Sequence, residues 1–157
     1  MVHSKLLIVA LLFLAAVPIA LARQELGSVR KSELSKQTFA VGQLKLTIAK
    51  LRGGHIWLVL LAGKTPHSIE VSVENQSGAA QMFDPNLLSL VSKDSKQVNV
   101  RFRVQQGFSN PQVPPETPQA RSVAPSARIE EVYVLNGRAS FPARLFYDGK
   151  ELAVITD

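Results

Sequence analysis

The sequence predicts an all-β domain of the sandwich type, and three observations predict it. Apolar residues recur at alternate positions in several short segments. Turn-forming Gly, Pro, Asn and Asp residues separate those segments at intervals of about 8 to 12 residues, the spacing of sandwich strands. Beyond Ala22 no segment repeats its apolar residues with the 3.6-residue period of an amphipathic helix. A small barrel is the second architecture that this pattern allows.

The chain opens with a different grammar. His3 and Lys5 form a short basic region, residues 6–20 are apolar and interrupted by Pro18, and Ala20-Leu21-Ala22 supplies small residues. That layout predicts a secretory signal peptide over residues 1–22, cleaved after Ala22. The run is shorter than the roughly 20 residues of a bilayer span, so no stable membrane span is expected after cleavage. The expected location is secreted or periplasmic. Residues 23–37 are polar, lack periodicity and read as a tether. Residues 38–157 are the domain.

Leu44, Leu46 and Ile48 alternate with Lys45 and Thr47, which marks a half-buried strand. Arg52-Gly53-Gly54 signals a turn. Residues 55–62 (HIWLVLLA) are nearly all apolar and read as a buried strand containing Trp57. Ile69, Val71 and Val73 alternate with Glu70, Ser72 and Glu74. Residues 75–78 supply turn chemistry before a short strand at residues 81–83, a pattern that reads as a hairpin. The same turn spells a glycan sequon, Asn75-Gln76-Ser77. Residues 87–91 and 97–104 flank a polar hairpin tip. In the second arm Val98, Val100, Phe102 and Val104 are assigned to one face, and Asn99, Arg101 and Arg103 to the other.

Residues 105–126 break the pattern. Pro111, Pro114, Pro115, Pro118 and Pro125 remove amide donors that a sheet ladder needs, so this stretch reads as a long exposed loop. Strands follow at residues 128–135, 143–147 and 151–155, with Asn136-Gly137 and Asp148-Gly149 as hairpin signals.

These elements resemble the immunoglobulin-like domain of small bacterial secreted antigens and lipoproteins of unknown function. The resemblance rests on Val71 to Gly78, Phe83-Asp84, residues 88–91, Val123-Ala124-Pro125, residues 130–135 and Arg144-Leu145-Phe146-Tyr147, and covers residues 40–156. It implies an immunoglobulin-like antiparallel sandwich outside the cytoplasm and brings no catalytic residues. The chain departs from that family's common form in lacking a lipid-anchor Cys and in its Pro-rich insertion.

Chemistry is sparse. The chain has no cysteine, which excludes Cys-ligated zinc, iron–sulfur clusters and thiol catalysis. His67 and Ser68 are adjacent and would point to opposite faces of a strand, and no nucleophile-elbow motif occurs. Glu130 and Glu131 are likewise adjacent, and Glu70 and Glu74 share a solvated row, so no pair of carboxylates suggests glycan hydrolysis. The expectation is a protein that is not an enzyme and has no cofactor. His55, His67 and Met82 are the only candidates for a soft metal site, and Met82 reads as packing. Tyr133 and Tyr147 lie on strands apolar at both parities.

The net charge of +6 and pI near 9.9 leave binding as the expected role. Arg101 and Arg103, joined by Lys45, Arg138 and Arg144 if their strands are neighbours, form one candidate contact surface. Pro111, Pro114 and Pro115 form the other, because polyproline segments present a preordered extended chain. The expected partner is another envelope protein or an anionic envelope polymer, and not nucleic acid. A metal carrier or cryptic hydrolase built on His55, His67 and Met82 is the alternative.

Overall fold

The computed structural model describes residues 27–53, 66–104 and 116–157. The expected signal peptide (1–22), the expected apolar strand at 55–62 with His55 and Trp57, and the part of the expected Pro-rich loop that holds Pro111, Pro114 and Pro115 lie outside the described residues.

The described chain is all-β, as its alternation requires. Its strands are β1 (Ser28–Arg30), β2 (Thr38–Val41), β3 (Leu44–Gly53), β4 (His67–Asn75), β5 (Gln81–Phe83), β6 (Leu88–Val91), β7 (Gln97–Val104), β8 (Arg121–Val123), β9 (Arg128–Leu135), β10 (Ala143–Tyr147) and β11 (Lys150–Thr156). Nine of them form one curled mixed sheet in the order β1-β11-β10-β6-β7-β9-β4-β3-β2, and β5 pairs with β8 in a separate ribbon. Only β1 and β11 run parallel. Strand β7 joins the two halves of the sheet. Its residues Gln97 to Asn99 pair with β6, and Val100 to Val104 pair with β9. The two layers expected from the sequence are therefore continuous through one strand.

One face of each strand supplies a single apolar cluster. Leu46, Ile48, Val71, Val73, Leu90, Val98, Leu135, Leu145 and Ile155 are buried within it, in keeping with the period-two pattern. Burying a side chain of this size contributes roughly 1.5–3 kcal/mol, which is how a domain of this length stands without disulfides. The segment expected as a tether is a correction. Its residues 28–36 form β1 and a 3-10 turn (Lys31–Lys36), and Leu34 is fully buried. A single apolar residue in a polar stretch carries no periodicity, so the sequence pattern gave no sign of this docking.

The turns follow their chemistry unevenly. Asp148 and Gly149 both adopt positive φ, 50° and 72°, and close the β10–β11 hairpin, as expected of this dipeptide. Asn136-Gly137 does not close a hairpin, because β9 pairs with β4 and β7 and not with β10. That segment crosses the molecule instead: Asn136 N–H donates to the Asn99 carbonyl and the Gly137 carbonyl accepts from His67 N–H. The expected hairpin of β4 with residues 81–83 is also corrected, since β5 pairs with β8. Asn75 makes that departure possible. It is fully buried, its Nδ2 donates to the carbonyls of Ala79, Val123 and Ala124, and its Oδ1 accepts from Ser77 N–H and Oγ. The sequon asparagine is thus a buried staple between the turn and β8, and the folded domain exposes no acceptor nitrogen there.

Three one-residue register shifts interrupt the described ladders; one leaves Leu152 extra in β11, and the two in β3 and β7 redirect charged side chains. In β3, Ile48 pairs with Val71 but Lys50 pairs with Glu70, so Ala49 is extra. In β7, Val100 pairs with Leu135 but Phe102 pairs with Val134, so Arg101 is extra. Each extra residue moves everything beyond it to the other face. Leu51 is consequently buried while Lys50 and Arg52 are exposed, and Phe102 no longer shares the face of Val98 and Val100.

The burial of Leu34 yields a test. Leu34→Ala is expected to cost about 2–5 kcal/mol, read as a lower denaturant midpoint. A change below about 0.5 kcal/mol, the level of an exposed site, would restore the tether reading.

Candidate functional site, a basic groove beside β3

Arg101 and Arg103 do not form the shared surface that strict alternation suggests. Arg101 is the bulged residue, exposed, with its guanidinium 4.8 Å from the Phe102 ring centroid. Arg103 lies opposite Tyr133 and turns inward. Its Nε donates to Glu131, its Nη1 donates to Glu116, and Arg121 donates to the other oxygen of Glu131. The Glu131 side chain is only 5% exposed, so its charge is tolerated because two guanidinium groups surround it. The two cations and two carboxylates compensate one another, and Arg103 serves as an internal clamp rather than a receptor. The clamp also fastens the later part of the Pro-rich segment, through Glu116 and Arg121, to β7 and β9. That part was expected to be an exposed loop; it contains β8 and the buried Pro118.

The other proposed members do not gather either. Lys45 lies on β3, separated from β7 by β4 and β9, and Arg144 lies on β10, separated from β7 by β6. Arg144 sits 3.7 Å from Glu151. Adjacent Glu130 and Glu131 do face apart: Glu130 is exposed beside Arg128.

Free positive charge collects elsewhere, at the junction of β3, the 3-10 turn and residue 157. Lys31, Ser32, Ser35, Lys50, Arg52 and Asp157 line an open groove of about 630 Å³. Lys31 Nζ is 2.8 Å from Asp157 and 3.9 Å from the Phe141 ring centroid, which fixes it in place. Lys50 is 3.8 Å from Glu70, too long for a charge-assisted hydrogen bond. Among the described residues no salt bridge engages Arg52 or Arg138. Arg138 approaches Gly53 closely enough that a Cβ there would meet its Nη2 at 3.7 Å, so this cation adjoins the same end of β3. Exposed hydroxyls and two unpaired guanidinium groups are suited to oxyanions, which guanidinium binds with two parallel hydrogen bonds.

His67 reports this electrostatic environment. It begins β4, buried, with its Nδ1 accepting from Ala139 N–H at 3.0 Å and its ring against Phe141. Burial, then the nearby charges of Arg138 and Lys31, hold its pKa below the ordinary value of 6.5, with Asp157 opposing. Met82, expected to pack, is 60% exposed on β5, because its neighbour Phe83 is the residue buried in the core and alternation turns Met82 outward. Among the described residues no three His, Asp or Glu side chains cluster as metal ligands do, and no helix is long and apolar enough to cross a membrane.

No protein-family model and no curated protein matches the chain. Among solved structures, the yjhA protein from Bacillus subtilis is similar, with a TM-score of 0.47 and 16% identity. The alignment covers 71% of this chain and 76% of that one.

Sequence reasoning missed Lys31, Lys50 and Arg52 as a site. Lys50 and Arg52 are two apart, like Arg101 and Arg103, so the two pairs are formally alike. Only the position of each bulge separates the inward arginine from the outward cations.

Two outcomes follow. The Tyr133 hydroxyl is buried without a hydrogen-bond partner among the described residues, and burial and Glu131 push its ionisation up. Tyr133→Phe removes that orphaned group and is expected to stabilise the domain by about 1 kcal/mol, seen as a higher Tm at neutral pH; a lower Tm would mean that the hydroxyl is satisfied. For His67, the folded state resists protonation. Stability is therefore full above the unfolded pKa near 6.5 and falls as pH drops below it. Chemical denaturation between pH 7.5 and 5 should show this decline, and His67→Gln should flatten it.

Proposed function

We propose that this chain is an exported, non-enzymatic binding module of the bacterial cell envelope, an immunoglobulin-like β-sandwich that holds an anionic polymer. The observation that carries this reading is the groove in which Lys50 and Arg52 stand without strong acidic partners among the described residues while Lys31 is fixed beside them. The signal-like residues 1–22 and the net charge of +6 support export and an anionic partner. The ligand chemistry is a repeated phosphate or carboxylate. Exposed cations at a groove attract such a chain at long range, and salt weakens them because the Debye length is about 8 Å at physiological ionic strength.

The test is co-sedimentation with insoluble peptidoglycan sacculi, with and without their attached anionic polymer, at low and high salt. Binding is expected to need the anionic polymer and to fall at least tenfold between 20 and 300 mM salt, an order-of-magnitude expectation for several exposed ion contacts. The double variant Lys50→Glu/Arg52→Glu should abolish it, while Arg101→Glu should leave it within about twofold. Salt-independent binding, or equal loss in both variants, would sink the groove as the contact.

A further inference from the structure

A second groove lies at the other end of β11 from Asp157. It crosses the outer face of β10, β6 and β7 and has a volume of about 370 Å³, within the range of small-ligand sites. The register builds its floor. Phe146 on β10 lies opposite Ser89 on β6, which lies opposite Asn99 on β7. Two residues along on the same face, Val91 lies opposite Gln97. The half-buried Phe146 ring therefore sits in a row with a hydroxyl and an amide, and Leu87, an exposed apolar side chain, stands at the rim with Asp148.

The hydrogen-bonding capacity of this floor is only partly used. Gln97 Nε2 donates to Asn99 Oδ1 at 2.9 Å, which leaves the Asn99 amide hydrogens and the Gln97 carbonyl oxygen open. Asn86 Nδ2 donates to Asp84 and to the Pro118 carbonyl, which leaves its Oδ1 as an acceptor. The Ser89 hydroxyl has no partner among the described residues. The groove thus offers donors and acceptors of both kinds, neutral apart from Asp148, around an aromatic ring. The lining holds one carboxylate and no cation, which does not favour an anion; Arg144 lies outside the lining, its guanidinium 5.4 Å from the Phe146 ring centroid.

From this arrangement we infer that the groove over Phe146 binds a neutral saccharide. A sugar ring presents a face of C–H groups and a rim of hydroxyls. The C–H face carries slight positive charge and suits the negative face of an aromatic ring. The hydroxyls each donate and accept, which matches amides and a serine better than it matches charged groups. The side-chain pair Gln97 and Asn99 is held in register by its own hydrogen bond and by the sheet, so little ordering accompanies binding. This site is independent of the basic groove: it uses other strands, other residues and a ligand without charge.

The experiment titrates isotope-labelled protein with cellotetraose, maltotetraose and a tetramer of β-1,4-linked N-acetylglucosamine, with dextran sulfate as the charged control. At least one neutral oligosaccharide is expected to shift the amide resonances of Ser89, Gln97, Asn99 and Phe146 in a saturable way. Phe146→Ala should weaken that binding tenfold or more, and Phe146→Tyr should keep it within about twofold. Ser89→Gln, which fills the floor from an outward position, provides a second blocking variant if Phe146→Ala does not fold. Dextran sulfate should instead shift residues beside Lys50 and Arg52, and should do so equally in Phe146→Ala. The inference is overturned if no neutral probe binds, if the shifts lie outside the groove, or if Phe146→Ala and Ser89→Gln bind as the parent does.

Discussion

The constraint on which the structure depends is the strict two-residue period of a β-strand in a sheet that must curl around one core. Every side chain is assigned to the inside or the outside by its parity, and a single inserted residue reverses the assignment for the remainder of the strand. The domain uses this reversal in β3 and in β7. In β3 the extra Ala49 keeps Lys50 and Arg52 out of the core and buries Leu51 in their place. In β7 the extra Arg101 turns Arg103 inward, to the level of Tyr133 and Glu131. Bulges also increase local twist, and the one in β7 lies where that strand leaves β6 for β9. The same device bends the sheet and distributes the charge.

The inward and outward cations then have different physical roles. Arg103 and Arg121 surround a buried carboxylate and supply the hydrogen bonds that replace its lost water. Their positive charge is compensated locally by Glu131 and Glu116, and what they accomplish is mechanical: they hold the 116–123 segment against the sheet. Among the described residues Lys50 and Arg52 have no such partners within hydrogen-bond range, and both side chains are exposed. Burial holds the pKa of His67 down, and Arg138 and Lys31 add to that effect. A charge count from the sequence treats all these residues alike. Location decides which of them an external anion can meet.

The polar staple at Asn75 shows how local turn chemistry is overruled by tertiary pairing. Asn, Ser and Gly after an alternating strand favour a turn, and a turn does form, with Ser77 bonded to Asn75 Oδ1. The chain does not return along β4, however, because the Asn75 amide reaches Val123 and Ala124, almost fifty positions later. Asn136-Gly137 is similar. Its composition suits a tight hairpin, yet its backbone groups bond to His67 and Asn99 on other strands. In each case the carbonyls that reward the alternative lie far away in sequence, so nothing within a short window can signal them.

By itself the sequence determined the all-β class, most strand positions, the Asp148-Gly149 hairpin and the separation of Glu130 from Glu131, because each follows from period-two patterning or from a dipeptide that tolerates positive φ. Tertiary structure alone decided that residues 28–36 belong to the folded unit, that one strand joins both halves of the sheet, and that Phe146 forms a row with Ser89 and Asn99. It also decided that Arg103 points inward while Lys50 and Arg52 remain available. The physical reason is the same throughout. Alternation is a property of one strand, but register is a relation between two, and a bulge exists only where both partners are present to define it.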